Sequence, residues 1–368
     1  SAFGGRFPSH GSLVADEIVP SKPIPETLTY IAKTHLDGDL NAAARSFLTR
    51  KAPAGLPALD GESNIDLAIR VAGQMNGDCL VIQGPPGTGK TFTASHIIAD
   101  LLGSGKKVGI ASNGHKAIVN LVKACASVLK EKGLPLVGVK AGGSSDDPVF
   151  SENPRFSYAA DNGKGFSAYK DGIIAGTAWL FSHRDWCHDL DYLFVDEAGQ
   201  VPLANVVAMT RCTKNLVLLG DQMQLEQPTQ GKHPGDSGLS ALQYALKDLD
   251  RSKNDAVEFH SVVPEDRGIF LGESFRMHPE VCSFISETVY DGRLTSHTEC
   301  SKQSIDISDT PYLRAGIAFH GVEHDGNTQY SEEETARVVE VYEQLIGKPY
   351  TDSSGHTKAL ELNDFLFI

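Results

Sequence analysis

The chain has 368 residues, a formal net charge of −14 from 33 Lys+Arg against 47 Asp+Glu, and 40% hydrophobic side chains. At ~100–200 residues per domain this suggests two or three domains, and the composition excludes a collagen-like or wholly disordered chain. No apolar run reaches the ~18–20 residues of a membrane span, and the acidic balance argues against a protein that coats nucleic acid by charge alone.

The N-terminal SAFGGRFPSHGSLVADE lacks an apolar stretch before its first acidic residue, so no secretory signal is expected. Residues 1–60 carry no chemical motif and read as a helical N-terminal or accessory segment. Apolar residues recur at helical spacings between Thr27 and Arg50 before Pro53, Gly55 and Pro57 interrupt them. Ile65–Met75 predicts a helix and Cys79–Gln83 a short apolar strand. Strands are expected at Val108–Ala111, Leu136–Val139, Gly172–Gly176, Tyr192–Val195 and Leu216–Leu219, with a long helix over His115–Lys130. Short apolar strands alternating with helices predict an α/β fold with a buried, mostly parallel sheet and sites at the carboxyl ends of its strands. Residues 142–170 are rich in Gly, Ser, Asp and Asn and read as a polar, mobile insert. A second unit is expected from Leu271, with helices at Pro279–Val289 and Glu332–Leu345, a strand at Gly316–Phe319 and a terminal buried strand over 364–368. The six cysteines form no C-x-x-C pair and read as thiols of a reducing, cytoplasmic compartment.

Four segments carry chemistry. Gly84-Pro85-Pro86-Gly87-Thr88-Gly89-Lys90-Thr91 fits G-x-x-x-x-G-K-[ST] between a strand and a helix. Glycines let backbone N–H groups wrap a polyphosphate, and the helix N-terminus adds positive potential. Lys90 is expected at the β- and γ-phosphates of ATP and Thr91 on Mg²⁺. Asp196-Glu197 ends a strand: Asp196 suits the Mg²⁺ shell, and Glu197 suits activation of the attacking water. In Gly220-Asp-Gln-Met-Gln-Leu225, Gln224 suits a hydrogen bond to the γ-phosphate or the lytic water, with Asp221 linking that contact to the nucleic-acid side. Arg276, in Ser274-Phe-Arg-Met-His-Pro279, suits charge neutralisation across an interdomain cleft. His278 reads as structural.

Together, GPPGTGKT at 84–91, VDEAGQ at 195–200, GDQMQLEQP at 220–228 and SFRMHP at 274–279 resemble the motifs of superfamily 1 helicases, in the branch that moves 5′ to 3′. The flanking stretches at 108–121, 233–240 and 284–297 resemble the helicase half of bacterial proteins that fuse a RecB-like nuclease to this motor. The resemblance implies a RecA-like ATP-binding domain over 61–270 and a partial second RecA-like domain over 271–368, the chain stopping before the last motifs. It implies single-stranded nucleic acid as partner, DNA more than RNA, with Asn113, His115 and Thr177 at the strand, a nuclease domain elsewhere in the full-length protein, and no membrane. The family's adenine-reading glutamine has no counterpart near Ile65-Asp66-Leu67-Ala68. With a second domain cut short, this chain alone is expected to unwind nothing. The competing readings are a P-loop switch that binds ATP without translocating and, less favoured, a small-molecule kinase. Charge is uneven: residues 101–140 hold seven lysines and one glutamate, whereas 321–368 hold three basic and ten acidic side chains. The acidic total therefore does not veto a strand-binding groove.

Overall fold

The computed structural model describes residues 22–186, 189–225, 233–248, 259–308, 314–328 and 330–368. Its centre is an eight-stranded sheet in the order β4-β3-β5-β2-β6-β7-β1-β8, every neighbouring pair parallel. The strands are β1 (Cys79–Gln83), β2 (Val108–Ala111), β3 (Gly138–Ala141), β4 (Phe156–Ala159), β5 (Ile173–Gly176), β6 (Leu190–Val195), β7 (Thr213–Gly220) and β8 (Gly268–Phe270). The central strands are buried on both faces, as a parallel sheet under helices requires. Alternate residues feed two separate cores. Cys79, Val81, Leu193, Val195, Leu216 and Leu218 enter one, while Leu80, Ile82, Tyr192, Phe194, Val217 and Leu219 enter the other.

The second core is covered by α3 (Asn64–Gln74), α4 (Lys90–Gly103), α5 (His115–Glu131) and α6 (Pro148–Glu152). The first is covered by α1 (Ile24–Leu36), α2 (Ala42–Leu48), α7 (Asn162–Ala168), α8 (Ala178–Phe181), α9 (Leu203–Met209) and α10 (Ala241–Ala245). The described part of the N-terminal segment is thus built into the sheet's own core: Ile24, Ala43 and Phe47 are buried there. Thr27 Oγ1 donates to Ser182 O at 2.7 Å, and Asn41 Nδ2 donates to the carbonyls of Thr210 and Thr213 at 3.0 Å each. Residues 1–21 lie outside the described part.

The polar stretch 142–170 is not an excursion. It supplies α6, the edge strand β4 and α7, and β4 pairs with β3 from Phe156 to Ala159. Caps rather than apolar runs define these elements: Asp147 and Asp161 accept from the amides of Val149 and Lys164. After β8 come β9 (Glu273–Ser274), α11 (Pro279–Val289), β10 (Thr295–Ser296), β11 (Ser304–Ile305), α12 (Glu332–Leu345), β12 (Pro349–Thr351) and β13 (Thr357–Ala359). Strands β9 and β10 pair in parallel, and β11-β12-β13 form a small antiparallel sheet. Both expected helices of this part are present with the expected bounds. The expected strands at Gly316–Phe319 and 364–368 are not. Phe319 is 94% exposed and Leu366 83% exposed, and neither segment pairs with another strand among the described residues.

Candidate functional site

Strand order assembles the site. β7 lies between β1 and β6, so the loop after β7 emerges between the P-loop after β1 and the acidic pair after β6. The chain leaves β1 on one side and β2 on the other with two strands between them, the crevice where ligands of open parallel sheets bind.

The P-loop is held from below: Gly84 N donates to Gly220 O at 2.9 Å, and Thr88 Oγ1 donates to Pro85 O at 2.8 Å. Gly87 and Gly89 have φ of +79° and +83°, a region that excludes most side chains. Gly89 caps α4, whose first residue is Lys90. Lys90 Nζ donates to Gly84 O at 2.6 Å, and its charge opposes the upward shift of the Asp196 carboxyl. Thr91 is exposed on the first turn of α4.

Asp196 is buried, its Oδ1 accepting from the Glu197 amide at 3.0 Å. Burial, and then the neighbouring Glu197 charge, pushes its carboxyl up to about 6. Glu197 is half-buried with φ of +54°. A glutamate in that conformation costs of order 1 kcal/mol, and such residues cluster where a side chain must be aimed. A threonine hydroxyl and a buried carboxylate are hard oxygen donors, and a divalent cation would relieve the cost of ionising Asp196. The donor set therefore fits Mg²⁺. Among the described residues no cluster of His, Cys, Asp and Glu suggests any other metal centre.

The loops after β6 and β7 touch backbone to backbone. A Cβ on Gly199 would stand 2.3 Å from Asp221 O, and one on Gly220 would stand 2.8 Å from Ala198 N. These two glycines are small because the acidic loop and the Asp221 loop must lie against each other. Asp221 is 2% exposed. Its Oδ1 accepts from Met223 N at 3.2 Å and Gln83 Nε2 at 3.5 Å, and its Oδ2 from Gln224 Nε2 at 3.2 Å and Tyr290 OH at 2.6 Å. Gln83, the last residue of β1, is fully buried. It donates to Ser261 O at 2.8 Å and accepts from Val263 N at 2.7 Å. Residues 226–228 of the same motif lie outside the described part.

The SFRMHP segment lies directly on the P-loop. Phe275 N donates to Gly87 O at 2.9 Å, and Ser274 Oγ donates to Pro86 O at 3.1 Å. A Cβ on Gly87 would stand 2.4 Å from Arg276 Cβ. Arg276 is exposed. His278 caps α11 by accepting from Glu280 N through its side chain. Beside the P-loop a cavity of about 580 Å³ lies between α3 and α4, walled by Ser63, Asn64, Ile65, Phe92 and Phe275. Asp66, which stands near where the resemblance places an adenine-reading glutamine, accepts from Ser63 Oγ at 2.6 Å at the start of α3.

Asn113, His115 and Thr177 follow β2 and β5 at the same end of the sheet. Asn113 Nδ2 donates to Gln200 O at 2.7 Å, which ties it to the loop of the acidic pair. Thr177 opens α8. His115 opens α5 with its ring against Gly142 and Gly143, and burial, then Lys140, holds its pKa below the usual value. The positions that sequence reasoning missed are Gln83, Ser274 and Tyr290. Each acts through a partner far away in the chain, and only the motif neighbourhoods around them hinted at a role.

A parallel sheet in this order, with a P-loop and an acidic pair one strand apart, is the arrangement of a RecA-like P-loop nucleotide-binding fold. Two family models described as AAA domain match the chain, one over residues 68–230 and one over 253–354. The chain is similar to the DNA replication ATP-dependent helicase/nuclease dna2 of Schizosaccharomyces pombe, 28% identical over 243 residues, which is 64% of this chain and 16% of that protein. It is similar to the Gallus gallus DNA2 protein, 26% identical over 232 residues, 62% of this chain and 21% of that one. It also resembles the DNA polymerase alpha-associated DNA helicase A of Schizosaccharomyces pombe, 23% identical over 293 residues, 65% of this chain and 41% of that one. Among solved structures, an Arterivirus nonstructural protein 10 helicase aligns at a TM-score of 0.35 and 15% identity, covering 63% of this chain and 43% of that one. Within the RecA-like class, this chain is similar to proteins whose names identify them as DNA helicases. It spans about a fifth of the length of the helicase/nucleases it matches. No helix among the described residues is long and apolar enough to cross a membrane.

Proposed function

We propose that this chain is the ATP-driven motor core of a protein that moves along single-stranded DNA, with ATP and Mg²⁺ as its cofactors. The observation that carries this reading is the seating of Ser274 and Phe275 on the P-loop, which puts Arg276 beside Gly87. An arginine delivered to the phosphate loop from a following segment supports hydrolysis coupled to movement of that segment.

In this account the loop amides of residues 84–89 and the Lys90 ammonium hold the β- and γ-phosphates. Thr91 and Asp196 hold Mg²⁺, which when bound offsets phosphate charge. Glu197 takes a proton from the attacking water, Gln224 orients that water, and Arg276 neutralises charge on the transferring phosphoryl group. The base and ribose lie toward the cavity walled by Phe92 and Phe275. DNA crosses the strand ends near Asn113, His115 and Thr177, held by backbone contacts and stacking. The Asn113–Gln200 hydrogen bond supports communication between that surface and the acidic pair. Residues 61–270, with α1 and α2 packed into the same core, form the ATP-binding domain, and 271–368 belong to a second RecA-like domain.

The relatives' printed names couple helicase to nuclease, which supports a nuclease domain in the same full-length protein. One of these two proteins is fungal and the other vertebrate, so they favour the nuclease–helicase combination in general over its bacterial RecB-like form. Five described cysteines are free buried thiols, in keeping with a reducing cytoplasm. The test is ATP hydrolysis by the chain with and without single-stranded DNA or RNA. Stimulation by a strand supports a motor, and ATP turnover indifferent to strands supports the switch.

A further inference from the structure

We propose that Tyr290 is a positioning residue for ATP hydrolysis: its hydroxyl, through Asp221, sets the Gln224 amide that faces the reacting phosphate. The inference rests on the role given to Gln224 above and extends it to a residue outside every motif of the P-loop site.

Tyr290 closes α11, and its ring belongs to a small core with Val262, Cys282 and Leu294. Apart from Val262, which precedes β8, these buried residues belong to the part of the chain that follows the ATP-binding sheet. The Tyr290 ring is 2% exposed, yet its hydroxyl leaves the small core and donates to Asp221 Oδ2 at 2.6 Å. A neutral–charged O–H···O⁻ bond of this length is among the stronger hydrogen bonds a protein makes. Burial and the Asp221 carboxylate both raise the phenol's pKa, so it stays a donor throughout the working range.

The consequence lies in the amide. Gln224 Nε2 donates to the same oxygen at 3.2 Å. An ionised carboxylate only accepts, so the Gln224 amide must present its nitrogen to Asp221. Its carbonyl Oε1 is then the end turned away from Asp221, a group that accepts from a water O–H and repels phosphate oxygen. Of the two contacts that suit Gln224, the lytic water is the one this orientation serves. Met223 N and Gln83 Nε2 hold the other oxygen, Oδ1. Asp221 is therefore fixed from the phosphate side through Gln83 and from the following segment through Tyr290. Movement of α11 relative to the sheet changes the Tyr290–Asp221 distance, and the Gln224 amide with it.

The experiment is steady-state ATP hydrolysis by four proteins: the unaltered chain, Tyr290→Phe, Gln224→Ala and the double variant. Thermal melting is followed in parallel, with Lys90→Ala and Glu197→Gln as controls. Tyr290→Phe keeps the ring in its core and removes only the hydroxyl. The expected result is a 5- to 20-fold lower kcat for Tyr290→Phe at unchanged KM for ATP. In the Gln224→Ala background the same change has no further effect, because the two residues act as one unit. A kcat for Tyr290→Phe within 2-fold of the unaltered chain, or losses that multiply in the double variant, overturns the inference. If it fails while both control variants lose hydrolysis, the ATPase site stands and the Tyr290 relay alone is wrong. If Glu197→Gln turns over normally, the site reading itself is wrong.

Discussion

The Phe275 amide donates to the Gly87 carbonyl at 2.9 Å, so a segment that follows the last strand of the sheet is hydrogen-bonded to the crown of the phosphate loop. Gly87 permits this in two ways: its φ is +79°, and a Cβ there would stand 2.4 Å from Arg276 Cβ. Gly87→Ala is expected to cost ~1–3 kcal/mol from strain and overpacking together. Hydrolysis should fall by more than binding, because Arg276 is pushed off the loop while most phosphate-binding amides remain. Urea denaturation and a KM-against-kcat comparison check both parts.

Lys90→Ala and Glu197→Gln separate binding from chemistry. The first removes the ammonium from the phosphate cradle and should abolish nucleotide binding measured by a fluorescent ATP analogue. The second keeps shape and removes the base, so binding should persist while kcat falls ~10²–10⁴-fold. Equal turnover by Glu197→Gln would remove Glu197 from the mechanism.

Asp196 makes a pH prediction whose sign is set by burial. Its carboxyl is raised from 3.8 to about 6 in the folded chain. Between those values the folded state keeps a proton that the unfolded state has lost. Stability therefore falls as pH rises through that window and stays lower above it. In metal-free buffer at pH 7.5, Asp196→Asn should stabilise the chain by ~2–3 kcal/mol and flatten the profile between pH 4 and 6. The same variant should lose Mg²⁺-dependent hydrolysis. Chemical denaturation in EDTA at several pH values measures the first effect, and a less stable Asp196→Asn would contradict it.

Base selectivity should be weak. The cavity beside the P-loop is lined mostly by aromatic, aliphatic and small side chains, with Asn64 and Glu273 as its larger polar ones; Asp66 is engaged with Ser63, and Asn64 Nδ2 donates to Phe270 O at 3.3 Å. With the Asn64 amide nitrogen given to the Phe270 carbonyl, discrimination rests on stacking, so KM values for ATP and GTP are expected within about tenfold of each other; sites built around a polar readout discriminate far more strongly. Phe92→Ala should raise KM for both nucleotides alike.

Much of this site is legible in the chain because its parts are local. The P-loop needs glycines, a lysine and a threonine in one short run. The acidic pair needs only a strand before it. The contacts that join those parts are not local. Tyr290 and Asp221 are 69 positions apart and Asn113 and Gln200 are 87 apart, so nothing in either neighbourhood announces the partner. Residues 142–170 misled because β4 is an edge strand. Only Phe156 and Ala159 of its four residues are buried, and Asp caps rather than apolar periodicity set the flanking helices. The apolar run Phe365–Ile368 misled in the opposite direction, since apolar character predicts burial and these residues are partly or fully exposed.

The most direct test of the motor reading is the ATP hydrolysis rate of the chain across a titration of single-stranded oligodeoxythymidine, with Glu197→Gln as the blank. A kcat that rises several-fold and saturates with strand concentration, absent in the blank, is the predicted result. A hydrolysis rate unchanged at every strand concentration would contradict the account and leave a nucleotide-driven switch in its place.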